Sequence, residues 1–300
     1  MRSDFLQRTE KDVTIDLSDG DYDVLSTCCG FNYGVSKIVL SNKVSKYSDG
    51  ILNVYCEPDQ MHAVSAQSFG ETSVTSVSVA DVYDGTIRIG GDPYVAKGRI
   101  VTVMIMEADM PISTMARAGI TVTEGITAVM QDMLFMCNNG PATGSLDQDV
   151  ILVRKKSPLY LRGAGNHCKL GELIGEATIE SVKTSAIINL RSILKTISVT
   201  YALQNSGYSV DRMKDIIGPE DAGTFERLLE EHDDDTRLLA AVGVTLHIRE
   251  CVNWGLFPIK DGIAAGKEVI RSMLGFESEE KWLMESVIFG IWYYLRTNYS

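Results

Sequence analysis

The sequence has little of what would assign it at once to several function classes. Histidine occurs only four times in 300 residues, and Lys and Arg number 28 against 40 Asp and Glu, for a net charge of −12. A nucleic-acid interface needs a basic surface stripe, and anionic lipid attracts basic segments. The charge therefore disfavours both of these partners, but it is compatible with a small ligand held in a local pocket.

Metal-binding cysteine patterns and long apolar runs are also missing from the sequence. The spacing of the six cysteines fits neither a zinc ribbon nor a compact disulfide framework. Charged residues, rather than an apolar stretch, follow Met1-Arg2-Ser3-Asp4, so we expect no secretory signal. The best candidate for a membrane span, residues 282–295, is short and contains Glu285. We expect a reduced, cytoplasmic protein without membrane insertion.

The distribution of apolar residues predicts an α/β or α+β fold, a mixed sheet with packed helices, over residues 1–204. Four apolar or β-branched segments predict strands: 37–40, 74–79, 100–106 (buried on both faces) and 150–153. Apolar residues at three- and four-residue steps predict helices over about 112–134 and from Lys169 to about Ala202. The same periodicity at 238–254 and 282–295 predicts an α-helical extension over residues 205–300.

Residues 163–175 concentrate reactive side chains where the second predicted helix begins. The segment reads Gly-Ala-Gly-Asn-His-Cys-Lys-Leu-Gly-Glu-Leu-Ile-Gly. Glycines let backbone N–H groups approach a bound group closely, and a helix N-terminus favours negative charge. His167 could act as base and acid in amide hydrolysis, and Cys168 is either a nucleophile or an inert thiol. Gly171 and Gly175, four residues apart, would let another backbone approach this helix.

A second polar segment, residues 138–149, precedes the strand predicted at 150–153. Its hydrogen-bonding groups and carboxylates come from Gly140, Thr143, Gly144, Ser145, Asp147 and Asp149. Loops beside strand ends are common ligand sites in α/β proteins. The alternative interpretation is a polar turn that only leads into the strand.

Together these segments resemble the adenosylcobinamide amidohydrolase family. Residues 165–175 are similar to its block G-T-H-T-K-L-G-E-L-I-G. Four further blocks precede it in the chain and stand in the family's order. Residues 25–27 resemble an early block that begins with a serine pair, and residues 89–93 resemble R-A-G-D-P. Residues 123–132 resemble T-E-A-K-T-A-A-L-Q-D, and residues 142–149 resemble A-T-G-T-G-T-D. The similarity covers roughly residues 20–185.

The resemblance implies an enzyme of corrinoid salvage, known in archaea and some bacteria. Such an enzyme hydrolyses the amide that joins the aminopropanol arm to the corrin ring of adenosylcobinamide, and yields adenosylcobyric acid. The substrate is then a corrinoid, and no cofactor or metal ligand is identified. The implied catalytic residues are His167, Glu172, Asp149 and Glu124. The implied substrate-binding residues are Thr143, Gly144, Asp147, Gly165, Asn166 and Lys169. The family block has threonine where Cys168 stands, so a thiol nucleophile is not implied.

Departures from the family blocks leave alternatives open. Gly125-Ile126 stands where the family has lysine after T-E-A, and an extra residue in the 142–149 block lets either Asp147 or Asp149 match its aspartate. One alternative is a protein that binds a corrinoid or another tetrapyrrole without cleaving it. Another is a bifunctional enzyme whose residues 205–300 resemble an α-ribazole-phosphate phosphatase. We expect instead that this extension serves packing or homo-oligomerisation through its helices.

Overall fold

The computed structural model describes residues 5–9, 12–57, 61–82, 86–90, 98–133, 135–137, 140–193, 198–204, 206–253 and 255–299. Its elements confirm the predicted mixture of α and β structure. The chain divides into two compact units. The first comprises Met1–Met133 and Thr143–Ile193, and the second comprises Leu134–Ala142 and Leu194–Ser300.

The strands are β1 (Leu6–Arg8), β2 (Asp12–Asp16), β3 (Tyr22–Ser26), β4 (Gly30–Asn32), β5 (Lys37–Ser41), β6 (Lys46–Ser48), β7 (Ile51–Tyr55), β8 (His62–Phe69), β9 (Thr72–Asp81), β10 (Thr86–Ile87), β11 (Arg99–Met106), β12 (Met136–Cys137), β13 (Gly140–Pro141), β14 (Gly144–Ser145) and β15 (Asp147–Lys155). The helices are α1 (Ile112–Asp132), α2 (Lys169–Ile193), α3 (Val199–Gln204), α4 (Val210–Ile217), α5 (Ala222–Glu231), α6 (Thr236–Asn253), α7 (Ile259–Leu274) and α8 (Leu283–Tyr299).

A mixed sheet in the order β4-β3-β15-β11-β9-β8 forms the centre of the first unit. Strands β11 and β15 pair in parallel and α1 connects them, whereas the other neighbours in this sheet pair antiparallel. The interior of β11 is buried, as its continuous apolar run predicted. Helices α1 and α2 pack against each other, α1 over β3 and β15 and α2 over β8 and β9.

A second sheet, β1-β2-β5-β7-β6, covers the opposite face of the central sheet. Its Ile15, Ile38 and Leu52 share one hydrophobic core with Val101 and Val153 of the central sheet. Because side chains alternate along a strand, this core fixes which residues of β11 and β15 point away from the helices. Odd-numbered positions of these two strands face the second sheet.

Small residues allow α2 to lie close to its neighbours. Ser181 Oγ lies 2.8 Å from the hydroxyls of both Ser76 and Ser78 on β9. Between the helices, a Cβ atom on Gly125 would lie 3.0 Å from the side chain of Thr178. Glycine at position 125 therefore lets α1 and α2 pack closely without a shift of the Thr178 side chain.

The predicted helix from Lys169 to about Ala202 is wrong in its extent. Helix α2 ends at Ile193 in the first unit, and α3 begins at Val199 in the second. Ser198 is not helical, and its side chain accepts the N–H of Tyr201 at 3.0 Å, as an N-cap serine does at the start of a helix. The other predicted strands and helices are confirmed to within a few residues.

In the second unit, α3–α8 surround a core of their own that includes Phe225, Leu246, Ile288 and Trp292. Helix α6 stops just short of Gly255, which has a φ of 72° that favours glycine. Among the helices described, none is both long enough and apolar enough to cross a bilayer.

Candidate active site

A cavity of about 690 Å³ lies between α1 and the helix-facing side of β3 and β15. Its lining residues are Leu25, Ser26, Thr27, Ala116, Gly119, Ile120, Thr123, Glu124, Thr127, Ala128, Gln131, Val150 and Leu152. The helical ones recur every three or four residues, so they share one face of α1. Glu124 is the charged side chain among these lining residues, and the rest of the surface is mainly apolar.

The close approach of α1 to the sheet shapes the floor of this cavity. A Cβ atom on Gly119 would lie 3.2 Å from Leu152 Cδ1, so glycine lets the helix lie close to β15. Leu25 on β3 is the direct partner of Leu152 in the sheet. These two side chains therefore form a continuous apolar floor below the helix.

The loop before α2 runs back along α1 and is held there by side-chain hydrogen bonds. Thr114 Oγ1 donates to the carbonyl of Arg162 at 2.9 Å, and Thr121 Oγ1 donates to the carbonyl of Ala164 at 2.8 Å. Further along, Asn166 Nδ2 donates to Glu124 Oε2 at 3.0 Å. Since Glu124 also lines the cavity, the structure brings two of the predicted site residues together at its edge.

Gly171 allows the backbone of this loop to lie against the first turn of α2. A Cβ atom on Gly171 would lie 2.0 Å from the carbonyl oxygen of Gly165, whereas one on Gly175 would meet nothing within 4 Å. The predicted close approach is therefore found at Gly171. Cys168 Sγ donates to the same Gly165 carbonyl at 3.1 Å.

His167 is exposed beside this loop and does not belong to the residues that line the cavity. A Cβ atom on Gly165 would lie 3.2 Å from His167 Cε1 and 3.0 Å from Arg117 Nε, so both side chains lie over Gly165. In the part of the chain that the structure describes, the His167 ring makes no hydrogen bond. Glu172 forms a 2.7 Å ion pair with Lys169, whose Nζ lies 4.7 Å from the centre of the Phe69 ring.

Thr143 fixes the start of the other polar segment to the helix. Its carbonyl accepts a 2.8 Å hydrogen bond from Thr127 Oγ1, and its own hydroxyl accepts one of 2.9 Å from the N–H of Ile89. Gly144 follows in β14, which pairs with β10. Thr127 lines the cavity, so Thr143 lies directly behind its wall. The rest of the 89–93 motif, residues 91–93, lies outside the described residues.

Asp147 and Asp149 both pair with the guanidinium group of Arg99. This group also lies 5.0 Å from the centre of the Tyr55 ring, on β7 of the second sheet. Both aspartates thus point to the face of the central sheet that is opposite α1. Within the described residues, no contact joins either aspartate to His167.

Thr27, which the sequence motifs did not mark as a site residue, connects this charged cluster to the cavity. Its Oγ1 donates to Asp149 Oδ1 at 2.6 Å and accepts a 3.1 Å hydrogen bond from the N–H of Val150. Thr27 is exposed and lines the cavity, whereas the Asp149 side chain is only 10% exposed. The one sequence signal for Thr27 was its place in the block at 25–27. Arg99, which begins β11, had no such signal.

The neighbouring Cys28 is held as a neutral thiol. Burial, together with the negative charge of Asp149, raises its pKa to about 11 despite a hydrogen bond with Ser26. Thiols are nucleophilic as thiolates, so Cys28 is unreactive near neutral pH. The described residues contain no group of three or more His, Cys, Asp and Glu side chains able to hold a metal ion.

Comparison with protein families finds a match for part of the chain. The model of the adenosylcobinamide amidohydrolase family matches residues 59–192. This segment is adenosylcobinamide amidohydrolase-like. The resemblance inferred from the sequence motifs is thus confirmed for the segment that carries α1, the loop to Asn166 and α2. Thr27 and the second unit lie outside the match.

Individual proteins show weaker similarity to the chain. The uncharacterized protein MJ1613 of Methanocaldococcus jannaschii is 27% identical over 162 residues, which are 46% of this chain and 63% of that protein. The chain therefore spans less than two thirds of this relative. The PH0078 protein from Pyrococcus horikoshii OT3 gives a TM-score of 0.37 at 10% identity, over 59% of this chain and 77% of the other. A Burkholderia sp. beta-aminopeptidase gives 0.35 at 10% identity, over 60% and 78%. Scores this low establish no common fold.

Proposed function

We propose that the protein is a cytoplasmic amidohydrolase of corrinoid salvage. It cleaves the amide between the aminopropanol arm and the corrin ring of adenosylcobinamide and releases adenosylcobyric acid. The observation that carries this proposal is the family match over residues 59–192, because the matched segment supplies α1 and the loop beside the cavity.

The polarity of the cavity lining supports a corrinoid substrate. A corrinoid presents apolar ring surface together with many polar amide arms. The apolar floor at Leu25 and Leu152 suits the ring surface, and the Glu124–Asn166 pair at the edge suits the amide arms. Since a pocket of this kind buries apolar surface and uses few polar groups for orientation, it suits a ligand of mixed character.

The predicted site residues divide into two groups in this proposal. Glu124, Gly165, Asn166, His167, Lys169 and Glu172 lie on α1 or on the loop and first turn of α2, where they would meet the polar arms of the substrate. Thr143, Gly144, Asp147 and Asp149 lie at the start of β15 or just before it. Of the four predicted catalytic residues, Asp149 is the one that touches a nucleophilic side chain in the cavity lining, the hydroxyl of Thr27.

Incubation of the purified protein with adenosylcobinamide tests the activity directly. We expect adenosylcobyric acid and free aminopropanol, identified by mass spectrometry. Thr123→Trp, which puts a large side chain into the cavity, should lower kcat/KM at least about 10-fold. Ser113→Trp is the matched control, because Ser113 is exposed on the same helix and does not line the cavity. Substrate that binds, with a change in its visible spectrum, but stays intact would support a binding protein instead.

A further inference from the structure

We propose that Thr27 is the nucleophile of the amide hydrolysis and that Asp149 is its base. This inference rests on the proposed function, and it assigns the chemistry to a residue outside the family match. Thr27 and Asp149 are separated by 122 residues in sequence but joined by a 2.6 Å hydrogen bond. Nucleophile and base within hydrogen-bond reach, at the wall of a cavity, is the arrangement that covalent catalysis needs.

The hydrogen bonds of Thr27 leave it free to attack. A threonine hydroxyl has one proton to donate and two lone pairs that accept. The proton points to Asp149 Oδ1, and one lone pair accepts the N–H of Val150 at 3.1 Å. The second lone pair stays available on a side chain that lines the cavity. The Val150 N–H also stabilises the negative charge that grows on the oxygen as its proton leaves.

Arg99 acts as a positioning residue for the base. It pairs with Asp149 through Oδ2, while Oδ1 faces Thr27. The same guanidinium pairs with Asp147 and lies over the Tyr55 ring, so it is fixed from three sides. This arrangement holds the other oxygen of Asp149, Oδ1, towards the Thr27 hydroxyl.

The reaction balances with these two residues and water. Thr27 Oγ1 bonds to the amide carbonyl carbon while its proton passes to Asp149. The C–N bond then breaks, and the leaving nitrogen takes the proton from Asp149, which gives the free amine and an ester on Thr27. Water, losing a proton to Asp149, attacks the ester. The acid leaves, and Asp149 returns the proton to Thr27.

The neighbouring side chains of Ser26 and Cys28, in the turn from β3 to β4, are less suited to act as the nucleophile. Ser26 Oγ accepts the N–H of Cys29 at 3.0 Å and lies 3.3 Å from the carbonyl of Gly30, so it holds the turn together. Cys28 is a partly buried thiol packed against the hydrophobic core between the two sheets. Thr27, by contrast, is exposed to the cavity.

Covalent labelling tests the nucleophile without reference to the substrate. A fluorophosphonate bonds through phosphorus to an activated hydroxyl, and fluoride leaves. We expect the added mass on the peptide that contains Thr27, with labelling slowed at least about 10-fold in Asp149→Asn and abolished in Thr27→Val. Thr27→Ser should still label. Thr297→Ala is the matched control, since Thr297 is an exposed hydroxyl on α8 whose proton goes to the Tyr293 carbonyl.

Turnover of adenosylcobinamide separates failure of this inference from failure of the proposed function. We expect Thr27→Val to lower kcat at least about 10²-fold, and Thr27→Ser to recover most of it. Wild-type turnover with no label on Thr27, or with an unimpaired Thr27→Val variant, would overturn the role of Thr27 and leave the function standing. Asp149-dependent labelling of Thr27 without any turnover would support the nucleophile and overturn the substrate.

Discussion

Asn166 Nδ2 and Glu124 Oε2 are joined by a 3.0 Å hydrogen bond, although their residues lie 42 positions apart. The last two turns of α1 and the strands β12 to β15 lie between the two residues along the chain. The loop after β15 returns along α1, which carries Asn166 back to the middle of the helix. This path brings the start of the segment 163–175 beside a cavity whose lining includes Val150, near the other end of β15.

Removal of either partner of this pair should weaken substrate binding through the same contact. We expect Glu124→Ala and Asn166→Ala each to lower kcat/KM for adenosylcobinamide about 10-fold. The double variant should be little worse than either single one, because contacting residues are not additive. Steady-state kinetics on the three variants measure this coupling. Fully additive losses would show that the two side chains act independently.

Gly171 should be indispensable for the loop, since a Cβ atom there would lie 2.0 Å from the Gly165 carbonyl oxygen. That neighbour is backbone and cannot rotate away. We expect Gly171→Ala to lower the free energy of unfolding by about 2 kcal/mol, the usual cost of overpacking. Gly175→Ala is the matched control, because its Cβ would meet nothing within 4 Å and alanine favours the helix. Denaturant unfolding of both variants measures the difference, and equal stability would contradict the prediction.

Local patterns in the sequence predicted much of the first unit. The continuous apolar run at 100–106 identified β11, and the spacing of Met115, Val122, Ile126 and Met130 identified α1, because strand and helix periodicities follow from backbone geometry. The reactive residues 163–175 were correctly placed at the start of α2. These predictions needed no knowledge of which elements meet.

The arrangement of the site depended on contacts that local patterns do not contain. Asp149 is adjacent in sequence to a cavity-lining residue, Val150, and Asp147 lies two residues before Asp149, yet both aspartates point to the other face of the sheet. A shift of one residue in register would reverse this, and the register is set by pairing with β11. The Thr27–Asp149 hydrogen bond likewise needs β3 beside β15, a strand pairing that local sequence patterns do not predict.

Asp23 should make the stability of the protein depend on pH in the acid range. Burial opposes its ionisation, but hydrogen bonds from Arg154, Lys156 and the Gly34 N–H hold its pKa below the usual value. A lowered carboxyl pKa stabilises the fold above the unfolded value of about 3.9, and this contribution is lost as the pH falls through the folded value. Asp23→Asn should therefore be less stable near pH 7 by about 3 kcal/mol, because it leaves Arg154 without its buried carboxylate.

The difference between Asp23→Asn and wild type should shrink as the pH falls from about 4, the unfolded value, towards the lowered pKa at which the folded carboxyl takes up its proton. Glu71→Gln is the control, because Glu71 is exposed in the turn between β8 and β9. Denaturant unfolding at several pH values measures both differences. A destabilisation of Asp23→Asn that stays constant down to low pH would assign the effect to packing rather than to charge.

His167 should contribute more to substrate binding than to the chemical step, since its exposed ring lies outside the cavity lining. We expect His167→Ala to stay folded and to raise KM several-fold while kcat changes less. A fall in kcat of about 10²-fold, with KM unchanged, would instead support the acid–base role that the sequence motif suggested. Circular dichroism confirms that the variant is folded, and steady-state kinetics separate the two parameters.

Cys28 should report the charge of Asp149, because that carboxylate acts together with burial to raise the pKa of its thiol to about 11. Only the thiolate reacts with iodoacetamide, so alkylation of Cys28 should be slow at pH 7 and rise about tenfold for each pH unit below that pKa. Asp149→Asn removes the negative charge, which lowers the pKa and speeds alkylation at a fixed pH. Glu230→Gln, an exposed change in the second unit, should have no effect. Peptide mass spectrometry follows the modified Cys28. An alkylation rate that is unchanged in Asp149→Asn would place the carboxylate too far from the thiol to act on it. That result would also contradict the geometry that holds Thr27 against Asp149.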